Sequence, residues 1–453
     1  MIRKKTTINM TEGPIFKNII LFAFPILVSN ILQLLYSAAD LIVVSNYAGS
    51  YAMGAVGATS SITAILINSV IGIATGATVV IAKYFGADDK NGIHRAVQTS
   101  FTLALILGVI ITIFAQLISA PVLRLLGTPK ELFAGAVLYT RIVYMGIPAQ
   151  MIYNFCAGIL RGMGDTKRPM YILAATGIVN VVLNLILVIG FHMDVEGVAI
   201  ATIVSQYLSA IYVFICLLKS KNNIELAPGK LHIYKEELKE ILKVGIPCAI
   251  SSCLLSFSNA VVVSGVNSFG AHATSGYAAA CSIDNIVFMG MNALSQAALT
   301  SVSQNYGAKN PKRMFKCMRR CIYLTAIVGG ILGIMVVVFS KPLLGIYIKD
   351  SAQAIEFANI KNVYTASICF ICGIMSVLSN SARGLGYSTT TTINEIWCLV
   401  GTRLIWVYVI LPIHRTPEVL FMCWGVSWIL STVVHATTIL LVKKKALQKM
   451  YAQ

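Results

Sequence analysis

The stretch Ala96–Ala120 reads AVQTSFTLALILGVIITIFAQLISA and contains no charged residue. About 20 apolar residues cross the hydrocarbon core of a bilayer as a helix, because a helix satisfies its own backbone hydrogen bonds where water is absent. Similar stretches recur along the whole chain of 453 residues, which is 57% hydrophobic and only 11% charged. A soluble chain carries roughly a quarter charged residues. The composition therefore predicts an all-α polytopic membrane protein.

Twelve apolar segments, separated by short polar loops, predict twelve transmembrane helices. Their approximate bounds are Ile15–Val44, Ala52–Ala82, Ala96–Ala120, Leu138–Leu160, Pro169–Phe191, Gly197–Leu218, Ile241–Val266, Thr274–Val302, Cys321–Ser340, Val363–Ala382, Thr391–Leu411 and Val419–Val442.

Basic residues are distributed unevenly between the loops. The N-terminal segment, the loops after even-numbered helices and the C-terminal tail contain 27 of the 35 Lys and Arg residues, when Lys17 and Lys243 in the first turns of the first and seventh segments are counted with them, whereas the loops after odd-numbered helices contain 6. Basic loops stay on the cytoplasmic side of a membrane. We therefore expect a multi-pass protein of the bacterial inner (cytoplasmic) membrane with both termini in the cytoplasm. This distribution also accounts for the net charge of +18, so we expect the lipid bilayer and no nucleic acid as a partner.

Three short motifs occur twice at a nearly constant offset of about half the chain, which indicates an internal repeat. The pairs are Pro25 with Pro247, Phe85-Gly86-Ala87 with Tyr306-Gly307-Ala308, and Arg161-Gly162-Met163-Gly164 with Arg383-Gly384-Leu385-Gly386. Each repeat contains six helices, so both halves enter the membrane from the same side. The predicted organisation is an N-terminal lobe (1–218), a cytoplasmic linker with an amphipathic helix (219–240) and a C-terminal lobe (241–453).

Paired six-helix halves are typical of secondary transporters, in which one half rocks against the other around a site between them. The alternative is that the repeat only records a gene duplication and indicates nothing about transport. The chain has neither a GxxxxGK[ST] motif nor a soluble nucleotide-binding domain. The sequence therefore predicts transport driven by an ion gradient, with no enzymatic activity and no cofactor apart from the coupling ion.

The stretch from Gly13-Pro14-Ile15 through Pro25 to Gln33, Tyr36 and Asp40 resembles the multidrug and toxic compound extrusion (MATE) family, and so do the turn motifs of the two repeats. The resemblance covers essentially the whole chain and is to the bacterial DinF- and MepA-like members rather than the NorM-like ones. It implies a V-shaped pair of six-helix lobes that exports cationic, amphipathic compounds through a central cleft in exchange for H⁺ or Na⁺. We expect small organic cations as substrates and a monomeric protein.

The same resemblance implies that Asp40 is the coupling acid of the N-terminal lobe. Many members carry a second acid where this chain has Asn184, so a two-carboxylate proton relay is not expected here. Gln33, Tyr36 and Asn180 are the further polar residues that we assign to this ion-coupling site. The alternative is a purely structural hydrogen-bond cluster between the first and fifth helices.

Only Asp40, Asp284 and Glu395 among seventeen acids fall well inside apolar segments, where a carboxylate is costly and therefore a functional candidate. Asp284 is predicted to form a substrate site or a second cation site. Its predicted neighbours are Asn285, Tyr153, Met289 and Asn292. The alternative is a buried acid hydrogen-bonded to amides. Arg161 and Glu395 are predicted to form a cytoplasmic gate.

An adaptable aromatic and methionine-rich cleft would suit organic cations. Candidate lining residues besides those above are Tyr139, Tyr144, Met145, Met151 and Met291. Each of them alone is more typical of a lipid-facing or core position.

Three other functions are compatible with a polytopic chain. A lipid-linked saccharide flippase is the main alternative, but such chains usually have two extra helices and a cationic groove, whereas this one has a single deep arginine, Arg403. A membrane enzyme would need clustered His and acids at membrane depth, where only His435 lies. A passive channel would need rings of charge, which the sequence lacks.

Overall fold

The computed structural model of the protein describes residues 7–43, 49–125, 127–219, 231–349 and 351–452, and all regular secondary structure within these ranges is helical. The helices of the first half are α1 (Ile15–Val43), α2 (Gly49–Gly86), α3 (Lys90–Leu125), α4 (Lys130–Tyr144), α5 (Ile147–Gly162), α6 (Lys167–Asn184) and α7 (Val195–Leu218). Those of the second half are α8 (Lys235–Asn267), α9 (Ala271–Gly307), α10 (Pro311–Val338), α11 (Ser340–Tyr347), α12 (Ala352–Ala366), α13 (Cys369–Gly384), α14 (Ser388–Glu395), α15 (Thr402–Ile405), α16 (Leu411–Ile413) and α17 (Pro417–Ala452).

The described helices include ten that are long and apolar enough to cross a membrane, and two bent pairs that each make one more span. The pairs are α4 with α5, bent by 42°, and α12 with α13, bent by 48°. With each pair counted as one span, the described part of the chain contains twelve spans. The prediction of an all-α polytopic protein is confirmed.

The two breaks were not predicted, because hydropathy alone indicates one straight helix for each of these spans. The first break lies at Met145 and Gly146, and the second at Ser367 and Ile368, which are their counterparts in the second repeat. Pro148 follows the first break, where its missing N–H group costs the first turn of α5 no hydrogen bond.

The turns that follow the bent spans also correspond between the two repeats. Gly164 and Gly386, which occupy the same place in the repeated motif, both have a φ of 87°. This backbone conformation is costly for residues that carry a Cβ atom, so glycine is required at both turns. The sequence repeat is therefore also a repeat of backbone conformation.

Three π-helical segments interrupt the spans; they widen the backbone spiral and occur often at functional sites. Leu185–Gly190 follows α6 directly. Ile396–Gly401 and Trp406–Ile410 flank α15, so that Ser388–Ile413 forms one span of alternating α and π geometry.

The helices form two compact units. The first contains Val28–Gly245 and the described residues before Asn9, and the second contains Asn9–Leu27 and the described residues from Ile246 onward. The boundary between the units therefore divides both α1 and α8. It lies close to Pro25 in α1 and close to Pro247 in α8. The lobe boundaries predicted at residues 218 and 241 stay a prediction.

Small residues allow close helix packing inside each unit, as is common in membranes. In the first unit, Gly158 and Gly162 of α5 pack against the backbone of α2 near Ala74 and Thr78. In the second unit, Gly329 of α10 packs against Phe370 of α13.

In the second part of the predicted linker, residues from Lys235 onward form the first turns of α8. Glu237 is buried there and accepts a hydrogen bond from Arg95 of α3, with 2.6 Å between Nε and Oε1. The remainder of the predicted linker at 220–230 and the first six residues lie outside the described residues.

Candidate ion-coupling site

Asp40 lies in the last turn of α1 and is hydrogen-bonded to Asn184, the last residue of α6. The Asn184 amide nitrogen Nδ2 donates to Asp40 Oδ1. Asn184 is completely buried and Asp40 is partly buried. Two of the residues that the sequence assigns to ion coupling therefore meet, although 144 positions separate them in the chain.

Two amide oxygens close to this bond have no hydrogen-bond partner among the described residues. They are Oδ1 of Asn184 and Oδ1 of Asn180, one helical turn earlier, and both side chains are buried. Carboxylate and amide oxygens are the ligands that Na⁺ and other hard cations prefer. An amide can also rotate to accept a hydrogen bond from a protonated carboxyl group. The arrangement is therefore chemically able to hold either a proton or a small cation.

Tyr36 makes a second connection between α1 and α6. Its hydroxyl donates to the carbonyl oxygen of Ala174 over 3.1 Å. Its ring packs against Gly177, where a Cβ atom would overlap the aromatic carbons. Gln33, one turn before Tyr36 on α1, is exposed and joins neither bond. Three of the four predicted partners of Asp40 thus lie on or against α6.

In the second unit, Asp284 of α9 forms an ion pair with Lys361 of α12. The Nζ and Oδ2 atoms are 2.5 Å apart, and the Lys361 side chain is only 1% exposed. Of the other predicted members of this site, Asn285 and Asn292 are exposed and Met289 is partly buried, all on α9. The structure therefore pairs Asp284 with a basic residue rather than with amides.

Tyr153, the last predicted member of that site, belongs to the first unit. Its hydroxyl donates to the carbonyl oxygen of Pro169 over 3.4 Å. Three other aromatic and methionine candidates, Tyr144, Met151 and Met291, are at most 2% exposed and contribute to the hydrophobic cores of their units.

Glu395 and Arg161, the predicted gate residues, lie in different units. Glu395 ends α14 and accepts hydrogen bonds from Arg383 Nη2 at both carboxylate oxygens, over 3.0 and 2.8 Å. Arg383 is the counterpart of Arg161 in the second repeat. Arg161 is partly buried in the last turn of α5.

Lys361 was missed because the predicted tenth helix began at Val363, whereas α12 begins at Ala352. Lys361 was therefore counted as a loop residue. Its interior position leaves 5 basic residues in the loops after odd-numbered helices, against 27 on the other side. The sequence offered one signal for this position. Residues 352–366 have the spacing of a helix, and Lys361 is a polar residue within it.

Arg403 is buried in the second unit without an acidic partner among the described residues. Its guanidinium carbon lies 3.9 Å from the centre of the Trp424 ring, and Nη1 donates to Asn259 Oδ1 over 2.8 Å. A cation–π contact and an amide oxygen thus stabilise this charge. Glu395, eight residues earlier, binds Arg383 instead.

The turn between α5 and α6 contains a buried acid, Asp165. Burial raises the pKa of this carboxyl group, although Arg168 Nε lies 3.1 Å from Oδ2 and opposes the change. A raised pKa means that the folded state favours the protonated form. The contribution of Asp165 to stability is therefore largest at acid pH and is lost as the pH rises through its folded-state pKa.

The chain matches known transporters over most of its length. The sequence model of the MatE family matches residues 25–186 and again residues 247–409, one match for each repeat. The probable multidrug resistance protein YoeA of Bacillus subtilis is 27% identical over 401 residues, which are 87% of this chain and 86% of YoeA. The multidrug export protein MepA of Staphylococcus aureus is 24% identical over 421 residues, which are 92% of this chain and 90% of MepA.

Solved structures share the fold. A crystal structure of MATE in complex with MaL6 has a TM-score of 0.90 at 21% identity and covers 99% of this chain and 100% of the other. A MOP superfamily transporter from Pyrococcus furiosus has a TM-score of 0.88 at 22% identity, with 98% and 99% coverage. Because the family model matches most of both repeats, the chain belongs to the MatE family of multi-pass membrane transporters, whose members are named for multidrug efflux rather than for enzymatic activity.

Proposed function

We propose that this transporter is a secondary antiporter that exports cationic, amphipathic compounds in exchange for H⁺ or Na⁺, with Asp40 and Asn184 as its ion-coupling pair. The observation that carries the proposal is the partly buried hydrogen bond between these two side chains inside apolar spans. A carboxylate at membrane depth costs several kcal/mol unless it is paired or hydrated, which favours a functional reason for its presence.

The pair provides a two-state element. In the ionised state, Asp40 accepts a hydrogen bond from the Asn184 amide nitrogen. After protonation, the carboxyl group has a hydrogen to donate, and the amide oxygen of Asn184, which lacks a hydrogen-bond partner among the described residues, can accept it once the amide rotates. The bond then reverses its direction. Because Asp40 is on α1 and Asn184 is on α6, this reversal changes the hydrogen bond that links the two helices.

The energetics of exchange are favourable for a single coupling ion. The export of one monovalent cation against 100 mV costs about 2.3 kcal/mol. One-for-one exchange with a proton cancels this electrical cost and leaves the pH gradient, which supplies about 1.4 kcal/mol per unit. One carboxylate is therefore sufficient, which agrees with an amide at position 184.

The surroundings of the protein belong to the same proposal. The excess of basic residues in one set of loops supports a location in the bacterial cytoplasmic membrane with both termini in the cytoplasm. We propose a monomer that works in the lipid bilayer without a nucleic-acid partner and without a cofactor.

The test is transport of a fluorescent organic cation by proteoliposomes under an imposed pH gradient or, separately, an imposed Na⁺ gradient. We expect one gradient to drive transport by the wild-type protein, which identifies the ion. Asp40→Asn should abolish gradient-driven transport, and Asn184→Leu should reduce it at least about tenfold, since about 1.4 kcal/mol of lost interaction is a tenfold effect. Asn184→Asp should retain transport with a changed pH dependence.

The matched control is Asp194→Asn, which removes an exposed acid of the same unit. It should leave transport unchanged. Wild-type transport rates for Asp40→Asn, at equal amounts of folded protein in the liposomes, would refute the coupling role of Asp40.

A further inference from the structure

A second cluster of ionisable groups lies in the second unit, around the carboxylate of Glu395. Besides the two hydrogen bonds from Arg383, this carboxylate accepts one from Ser379 Oγ over 2.6 Å and one from Ser251 Oγ. The two serines belong to α13 and α8. The carboxylate therefore accepts four hydrogen bonds in the described structure, and its charge is balanced by Arg383.

His435 of α17 faces this carboxylate without taking part in its hydrogen bonds. Its side chain is completely buried, and its Nε2 atom lies 4.0 Å from Glu395 Oε1. Neither ring nitrogen has a hydrogen-bond partner among the described residues. A buried polar group without a partner costs about 1–3 kcal/mol, and an ionisable residue inside a membrane span is a functional candidate.

Ionisable groups from three other helices lie around His435. Glu395 on α14, Arg383 on α13 and the Cys248 thiol on α8 are the ionisable groups near the site. With a neutral imidazole and a thiol, the cluster has no net charge. With an imidazolium, two cations compete for one carboxylate. Arg383 is the more exposed of the two, because 15% of its side chain is accessible whereas His435 is completely buried.

This cluster has no counterpart in the first repeat. At the offset that relates Arg383 to Arg161, Glu395 corresponds to Leu173 and His435 to Val213. The fold itself therefore does not require an acid and a histidine at these positions. Their presence in one repeat only favours a specific role over a packing requirement.

We propose that His435 is a proton-binding site of the second unit, and that its imidazolium displaces Arg383 from Glu395. Proton binding changes the partner of the Glu395 carboxylate from α13 to α17. The inference goes beyond the coupling role proposed for Asp40 and Asn184 and stands independently of it, because proton binding at His435 is measurable without transport.

The direct test is nuclear magnetic resonance of the full-length protein in lipid nanodiscs, with ¹³C-labelled histidine imidazoles. The chain has six histidines, and His435→Gln identifies the signal of His435 by its loss. We expect this signal to titrate between about pH 5 and 8, the range in which histidine changes charge. In Glu395→Gln the imidazolium loses its carboxylate, so the signal should stay in the neutral position over the same range.

The control is His414→Gln, which removes an exposed histidine between α16 and α17 and should leave the His435 titration unchanged. An Asp40→Asn protein should also retain the titration, which separates this site from the proposed coupling site. A wild-type His435 signal that stays constant from about pH 5 to 8 would overturn the proposal.

Discussion

Asp284 and Glu395, the two candidate carboxylates of the second unit, each have a basic partner from a neighbouring helix. Asp284 binds Lys361, and Glu395 binds Arg383. Burial of an ion pair contributes little net stability, because desolvation of both charges offsets their attraction. Loss of one partner is different, since it leaves a charge without compensation in an apolar span. In the first unit, the described hydrogen-bond partner of Asp40 is an amide instead.

The Asp284–Lys361 pair leads to a prediction on stability. Lys361→Met leaves the Asp284 carboxylate without its cation and should destabilise the protein by about 3–5 kcal/mol. The double variant Asp284→Asn/Lys361→Met should lose less than the sum of the two single variants. Thermal unfolding in detergent, followed by tryptophan fluorescence, measures these differences.

Lys341→Met is the matched control, because its partner Glu356 is 3.7 Å away and both side chains are more than half exposed. This variant should change stability by less than about 1 kcal/mol. Equal losses for Lys341→Met and Lys361→Met would contradict the role assigned to burial of the Asp284–Lys361 pair.

Contact between α1 and α6 brings together the residues of the proposed coupling site. Tyr36 hydrogen-bonds to Ala174 and packs on Gly177, and Asp40 hydrogen-bonds to Asn184 near the π-helical end of the same span. The absence of a side chain at Gly177 allows the Tyr36 ring to approach the α6 backbone. Any change in this packing should therefore alter both stability and coupling.

Gly177→Ala should displace the Tyr36 ring and break its hydrogen bond to Ala174. Overpacking of this kind costs about 1–3 kcal/mol, which the same unfolding assay detects as a lower midpoint. Gly190→Ala is a suitable control, because no atom lies within 4 Å of the position of its added Cβ atom. In a Tyr36→Ala background the cost of Gly177→Ala should disappear; a cost that persists there would show that Tyr36 is not its cause.

Loop charge and the internal repeat are the two properties that organise the chain as a whole. The repeat appears in the sequence motifs, in the two family matches, in the broken fourth and tenth spans and in the turns at Gly164 and Gly386. The charge difference between the two sets of loops increases when Lys361 is counted as interior. An even number of spans and a basic C-terminal tail then predict a single orientation.

The orientation is testable with reporter fusions in a bacterial host. Green fluorescent protein fused after Gln453 should fluoresce, because it folds on the cytoplasmic side, and alkaline phosphatase at the same position should be inactive. Phosphatase fused after Asp194, in a loop with few basic residues, should be active. The reverse pattern of activities would contradict the orientation that we derive from loop charge.

The all-α membrane class, the two repeats and the family could all be predicted from the amino-acid order, because hydrophobicity and motif spacing do not depend on which helices meet. The family resemblance also singled out Asp40 and Asn184. The partners of the buried charges could not be predicted in this way, since Asp284 meets Lys361 and Glu395 meets Arg383 through the packing of neighbouring helices. The breaks in spans four and ten likewise became visible only in three dimensions, because hydropathy is the same on both sides of a bend.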